Sequence, residues 1–462
     1  MFYKDIQFEN VPLPEDILQL KAHGDYERLN RVLDMRLRDQ NLPEALRKRL
    51  RLERRMAERV PGEYPYGFYE ALELLRGEIE GFNADELNDA IDAGKVSWIY
   101  IDGEMRFHKL FLSTLIKTRP ELESRVIHPE RLAYKKKNFA ILDDMVREMA
   151  ENGGAARRWH VRHTLRIKPE FCRVGEEVLV HLPLPVEYDC MRNFRLIDCG
   201  PGQGYASDAA QRTVSFRKRL EDGDEFFAEY SFEVHMLYRR LDADAAAGGI
   251  PAGEDCLCEQ PPHIAFTPLV KDVARQIAGD EKNPLRLARR VYDYLTTAPI
   301  YSYVRSYFTY PNLTEYMLTS MKGDCGIFAL CFITLCRCLG IPARWQSGLY
   351  CAPHDVGCHD WAQFYCEPWG WLPVDASFGN AAWHNGDRAR WDFYFGNMDP
   401  FRLPAASAFQ VPFDPPKRHL RSDPYDNQSG EAEYADQGLL HRQFEEQCRL
   451  IDWEKLPWKD KA

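Results

Sequence analysis

Residues 327–336 run for ten positions without a charge, and the segment Lys322-Gly323-Asp324-Cys325-Gly326 stands directly before them. A segment apolar on every side must be buried. Ten residues are too few to cross a bilayer. The chain therefore has to build a core around a helix that opens at Cys325 and ends at Gly340-Ile341-Pro342. Asp324 stands where an N-cap is expected. A helix N-terminus carries partial positive charge and unpaired N–H groups. The spacing thus predicts a Cys325 thiol with a depressed pKa, beside one half of an oxyanion hole.

Two residue types that can work with a thiol follow within about fifty residues. His359 opens a strand-like stretch, His359-Asp360-Trp361-Ala362-Gln363-Phe364, and Asp375 closes another, Gly370-Trp371-Leu372-Pro373-Val374-Asp375. The turn Glu367-Pro368-Trp369-Gly370 lies between them. Antiparallel pairing about this turn brings His359 and Asp375 together. Asp375 then fixes the imidazole tautomer, and His359 deprotonates the thiol and later protonates a leaving amine.

These motifs together resemble the transglutaminase-like superfamily over roughly residues 265–400: Gly323-Asp324-Cys325, Gly340-Ile341-Pro342-Ala343-Arg344, His359-Asp360-Trp361 and Gly370-Trp371-Leu372-Pro373-Val374-Asp375. The resemblance implies a papain-like α+β core with Cys325 as nucleophile, His359 as base and Asp375 as its orienter. Many family members place an upstream Trp or Gln as the second oxyanion donor. This chain has no Trp between Trp159 and Trp345, so Tyr301, Tyr303 or Tyr310 is the expected donor. Six of the ten tryptophans fall between 345 and 391. Trp345 reads as core, and Trp361 as core or substrate wall.

The fold class expected is multidomain α+β. Residues 1–155 read as mainly helical, interrupted by a hairpin that turns at Asp102-Gly103. Residues 156–242 alternate apolar and polar positions in short runs and read as an antiparallel β-sandwich. A small, polar linker follows at 243–262, then the transglutaminase-like catalytic domain at 263–415. The C-terminal extension, 416–462, is expected to end in a short helix around 439–456.

Net charge is −11, which argues against a duplex nucleic-acid binder. No basic segment followed by an apolar run opens the chain, so a soluble cytoplasmic protein without a membrane partner is expected. The thirteen cysteines then read as free thiols. Cys351, His354, Cys358 and His359 lack the paired couples of a zinc site, so neither metal nor cofactor is expected. The function expected is cleavage or transfer of the acyl group of a peptide or protein amide through a Cys325 thioester. The alternative is a catalytically weak or inactive transglutaminase-like scaffold or binding protein.

Overall fold

The structure is a computed structural model that describes residues 3–251 and 256–458. Part of the expected linker, residues 252–255, lies outside the described residues.

The N-terminal third packs helices around two small cores. Glu15–His23, Tyr26–Leu37 and Glu44–Glu63 enclose Ile17, Leu29, Leu33 and Leu50. A second core forms around Leu75, Phe107 and Phe111. The hairpin Trp98–Ile101/Glu104–Phe107 turns at Asp102 and Gly103, both at positive φ, as a tight two-residue turn requires. A long helix, Glu130–Asn152, ends at Gly153 in the left-handed region.

Two four-stranded antiparallel sheets follow. One runs Glu431–Tyr434, Glu177–Pro183, Thr213–Arg219, Gly204–Ala206; the other runs Phe444–Leu456, Gly154–Ile167, Phe226–Leu237, Met191–Gly200. Each takes one edge strand from the C-terminal residues. The helix expected around 439–456 is therefore a strand, Phe444–Leu456, paired along Gly154–Ile167. The long neighbouring strand presents unpaired backbone groups on that side, and cross-strand ion pairs such as Arg158–Glu454 add to the register. Tertiary pairing overrides the local pattern here.

The third region holds the Cys325 helix. Helices Pro268–Ala278, Pro284–Thr297 and Leu313–Ser320 precede it, and a sheet in the order Gly370–Val374, Asp355–Cys366, Ala343–Ala352, Arg402–Ala406 packs against it. Twelve of the fourteen residues of Cys325–Cys338 are buried. Side chains alternate faces along a strand. On Asp355–Cys366, Asp360 and Phe364 meet this helix, through Cys325 and Phe332. His359, Trp361 and Gln363 leave on the other face, toward Asp375, Gln346 and Arg344.

Candidate active site

Asp324 caps the Cys325 helix, its Oδ1 accepting from Ile327 N at 3.4 Å and from the Tyr307 hydroxyl at 2.5 Å. The N-cap expected from sequence is in place. Gly326 leaves room for these groups, because a Cβ there would lie 2.2 Å from the Tyr307 hydroxyl oxygen and 2.7 Å from Asp360 Oδ2.

The thiol itself donates to Asp360 Oδ2 at 3.5 Å. Asp360 is 3% exposed, and its Oδ1 accepts from Gln428 Nε2 at 2.6 Å. Asp426, also buried, shares a hydrogen bond with Asp360. Burial, compounded by the charge of Asp324, pushes the Asp360 carboxyl well up. Burial and the neighbouring Asp423 do the same to Asp426. The expectation of a depressed thiol pKa is overturned in this arrangement. Burial of the sulfur, then the carboxyls of Asp360 and Asp324, push the Cys325 thiol well above its ordinary range. Helix-end charge is a fraction of a unit charge and cannot outweigh nearby acids in a desolvated site.

His359 and Asp375 form the second half of the site. His359 Nε2 lies 2.7 Å from Asp375 Oδ2, leaving Nδ1 free of this pair. The strand register that sets it is Ala362 opposite Val374, so Asp375 emerges just past the strand end on the face of His359. Asp375 is fully buried and caps the helix Ala376–His384, its Oδ1 accepting from Phe378 N and the Ser377 hydroxyl, both at 2.9 Å. Arg402, also fully buried, donates from Nη1 to Asp375 Oδ2 at 2.9 Å and from Nη2 to Asp399 Oδ2 at 2.7 Å. Burial alone would raise the Asp375 carboxyl; the charges of His359 and Arg402 reverse this and hold it well below the usual carboxylate range. Burial lowers the His359 pKa, and Asp375 opposes it only in part.

A cavity of about 390 Å³ opens on Cys325. Tyr301 and Tyr303 line it. Burial raises the Tyr301 phenol, and the neighbouring Cys325, to which its hydroxyl hydrogen-bonds, raises it further. Tyr310 is buried against Tyr316 and Arg305 and lines a different cavity. Trp361 is 3% exposed and donates to Gln346 on the His359 face. Neither Tyr310 nor Trp361 reaches the thiol cavity. Trp345 is core, packed on Phe409. Cys351, His354, Cys358 and His359 form no metal-binding group, nor does any set of the described residues.

Several contributors were not singled out from sequence. Asp360 lies inside the His359-Asp360-Trp361 motif, and strand parity alone would have sent it to the helix side. Gln428, Asp426 and Arg402 carry no local signal, since long-range folding delivers them. Residues 1–155 had no assigned role, yet Glu63, Lys109 and Leu110 line the thiol cavity, and Glu63 Oε2 accepts from Ser306 N at 2.8 Å.

Comparison with known proteins agrees with the resemblance. Residues 271–376 match the transglutaminase-like superfamily. A peptide-N(4)-(N-acetyl-beta-glucosaminyl)asparagine amidase of Drosophila melanogaster is 32% identical over 113 residues, which are 24% of this chain and 17% of that protein. The chain thus spans about a sixth of the length of that relative. Among solved structures, a Cytophaga hutchinsonii protein provisionally assigned as a cysteine protease aligns with TM-score 0.39 at 16% identity, covering 67% of this chain and 95% of that one. The periplasmic domain of TgpA from Pseudomonas aeruginosa aligns with TM-score 0.30 at 15% identity, covering 54% of this chain and 96% of that one. No described helix is long and apolar enough to cross a membrane.

Proposed function

We infer that the transglutaminase-like region serves a thiol enzyme acting on amide bonds, with Cys325 as nucleophile, His359 as base and Asp375 as the group that orients the base. The observation that carries this reading is the buried His359–Asp375 pair at 2.7 Å, clamped from behind by Arg402. A merely structural histidine has no need of an ionised, doubly held carboxylate. Burial of that ion triad is worthwhile where the imidazole must be held in one tautomer and accept charge transiently.

The chemistry follows in two steps. Cys325 Sγ attacks the amide carbonyl, its proton passes to His359, and the amine leaves with that proton, giving a thioester. Helix N–H groups at Cys325, with the Tyr301 hydroxyl, stabilise the oxyanion. Water or an amine then opens the thioester and regenerates the thiol.

The resting thiol donates to Asp360 instead of His359. In our reading Asp360 keeps Cys325 protonated and quiet until substrate displaces it. The two antiparallel sheets act as the sandwich that accompanies such a core, and the substrate is a peptide or protein in the cavity between the N-terminal helices and the 423–431 segment.

A second reading is favoured by the amidase similarity: the amide opened is the glycosyl-asparagine link of a glycopeptide. The test separates these. Purified protein and Cys325→Ala are incubated with a glutaminyl peptide, with and without a primary amine, and with an N-glycopeptide. Peptide cleavage, ammonia release, amine incorporation and loss of glycan with conversion of Asn to Asp each give a distinct mass. Turnover in the wild type and none in the variant supports a Cys325 enzyme. Binding without turnover in both proteins leaves the scaffold.

A further inference from the structure

The cavity that opens on Cys325 is strongly acidic. Six carboxyls line it, those of Glu63, Asp324, Asp360, Asp423, Asp426 and Glu431. Two of them are committed: Glu431 pairs with Lys417 at 2.7 Å, and Glu63 Oε2 accepts from Ser306 N at 2.8 Å. The four aspartates have no cation within ion-pair reach among the described residues. The basic side chains nearby are turned elsewhere or lie open to solvent. Arg305 Nε donates to Thr309 Oγ1 at 2.9 Å, and its guanidinium lies over the Tyr310 ring. Arg59 directs both Nη atoms to the carbonyls of Ser422 and Arg421. His441 packs edge-on against Phe444, and Lys109 is exposed.

The unpaired carboxyls are contiguous. Asp360 meets the Cys325 thiol at 3.5 Å and shares a hydrogen bond with Asp426, which shares another with Asp423. Like carboxyls in one desolvated site hold protons in place of a counter-ion. Burial, with Asp324 beside it, pushes the Asp360 carboxyl well up accordingly. A cation arriving there removes that cost, because the carboxyls then ionise against it.

Asn427 points to the same chemistry independently. It is 2% exposed and lines the cavity. Its Nδ2 donates to the carbonyls of Arg212 and Ala405, at 2.7 and 3.3 Å, and neither of those residues lines the cavity. Its Oδ1 is buried with no hydrogen-bond partner among the described residues. An unfilled acceptor beside unpaired carboxyls calls for a ligand rich in donors. No set of the described residues is placed to hold a metal ion, so the donor that fits is an organic cation.

We propose that this acidic wall selects the substrate by charge: the amide opened at Cys325 lies beside a basic side chain, whose ammonium or guanidinium is seated among Asp360, Asp423, Asp426 and Asn427. This rests on the reading of Cys325 as nucleophile. The 3.5 Å between Cys325 Sγ and Asp360 Oδ2 puts that seat next to the attacking sulfur. A cation on Asp360 also takes over the acceptor that holds the thiol, so the charge that binds the substrate releases the nucleophile.

Labelling of the full-length protein with methanethiosulfonates of three charges tests this without any turnover. Cys325 modification by the 2-aminoethyl, methyl and 2-sulfonatoethyl reagents is followed by mass, each rate divided by that of 2-mercaptoethanol. The 2-aminoethyl reagent should outrun the 2-sulfonatoethyl one by about tenfold or more, and added salt should shrink that ratio. Asp423→Asn and Asp426→Asn should each cut the ratio by about threefold or more, with the circular dichroism spectrum unchanged. Glu221→Gln, at an exposed side chain outside the cavity, should not. N-acetyl-arginine amide should protect Cys325 from the methyl reagent at a concentration where N-acetyl-glutamate amide does not. A ratio near one overturns the proposal and leaves Cys325 as nucleophile. So does a ratio unmoved in both aspartate variants, an equal fall in Glu221→Gln, or protection by neither amide or by both alike. Cys325 inert to all three reagents overturns the nucleophile as well.

Discussion

Asp360 and Asp375 are both buried carboxyls, one on the strand face opposite His359 and one hydrogen-bonded to it, yet they behave oppositely. Asp375 meets His359 and Arg402 and is held ionised far below the usual carboxylate range. Asp360 meets Asp324, Asp426 and a thiol, and burial with those acids pushes it well up. Burial is common to both, so the sign comes from the neighbours. The difference divides the site into a permanently charged half that holds His359 and a half whose raised carboxyls surround the Cys325 thiol.

The sharpest way to break this division is to remove a group that defines one half. Cys325→Ala should abolish amide turnover, a loss of at least about 1000-fold, measured by product mass. Asp375→Asn should lower turnover by roughly 1000- to 10,000-fold with the fold intact, because an amide does not fix the imidazole tautomer. Arg402→Met leaves Asp375 and Asp399 buried with their shared cation gone and should cost roughly 3–5 kcal/mol in urea denaturation. Asp375 also fixes the acid limb of stability. Its folded pKa is depressed, so its contribution is present above the unfolded value near ~4 and is lost as pH falls below it. A variant that unfolds no more readily than wild type would show that the charged half is dispensable to the fold.

On the other half, Asp360→Asn keeps an acceptor for the thiol and removes a carboxyl that, once ionised, opposes the thiolate. The pH midpoint of Cys325 alkylation by iodoacetamide should fall by about one unit or more, read by mass spectrometry with the exposed Cys258 as internal reference. Partial unfolding would instead raise labelling of buried Cys331 and Cys336 together with Cys325. An unmoved midpoint would show that Asp360 does not govern the thiol.

Much of the local framework was legible in the sequence. A charge-free run, a capping acid and a turn between two strand-like stretches are all local patterns, and each reached the place expected of it. The half around the thiol was not. Gln428 and Asp426 arrive from a segment about seventy residues beyond His359, and no periodicity links them to Cys325. The thiol pKa was misread for the same reason, since a helix end can be seen in a sequence while the acids folded against it cannot. The 439–456 segment shows the converse. Its spacing of Leu439, Phe444, Leu450 and Trp453 admits a helix, and an open strand edge decided otherwise.

The mildest test concerns Asp324, which belongs to both descriptions as helix cap and as one of the acids. As a cap, its loss in Asp324→Ala should cost about 1 kcal/mol, and Asp324→Asn should cost little, since Asn accepts the same Ile327 N–H. As an acid, burial raises its pKa to about 6, with the Tyr307 hydrogen bond opposing the rise. The unfolded carboxyl titrates near ~4, so the folded state holds the proton more tightly. Ionising Asp324 therefore costs stability, progressively as pH rises from ~4 through the folded pKa, and that cost is constant above it. Asp324→Asn has no such cost. Urea denaturation across this range should show the Asn variant gaining on wild type as pH rises toward 6 and then running parallel. A difference that stays flat with pH would mean that Asp324 is only a cap, and that the acids around Cys325 do not act as one cluster.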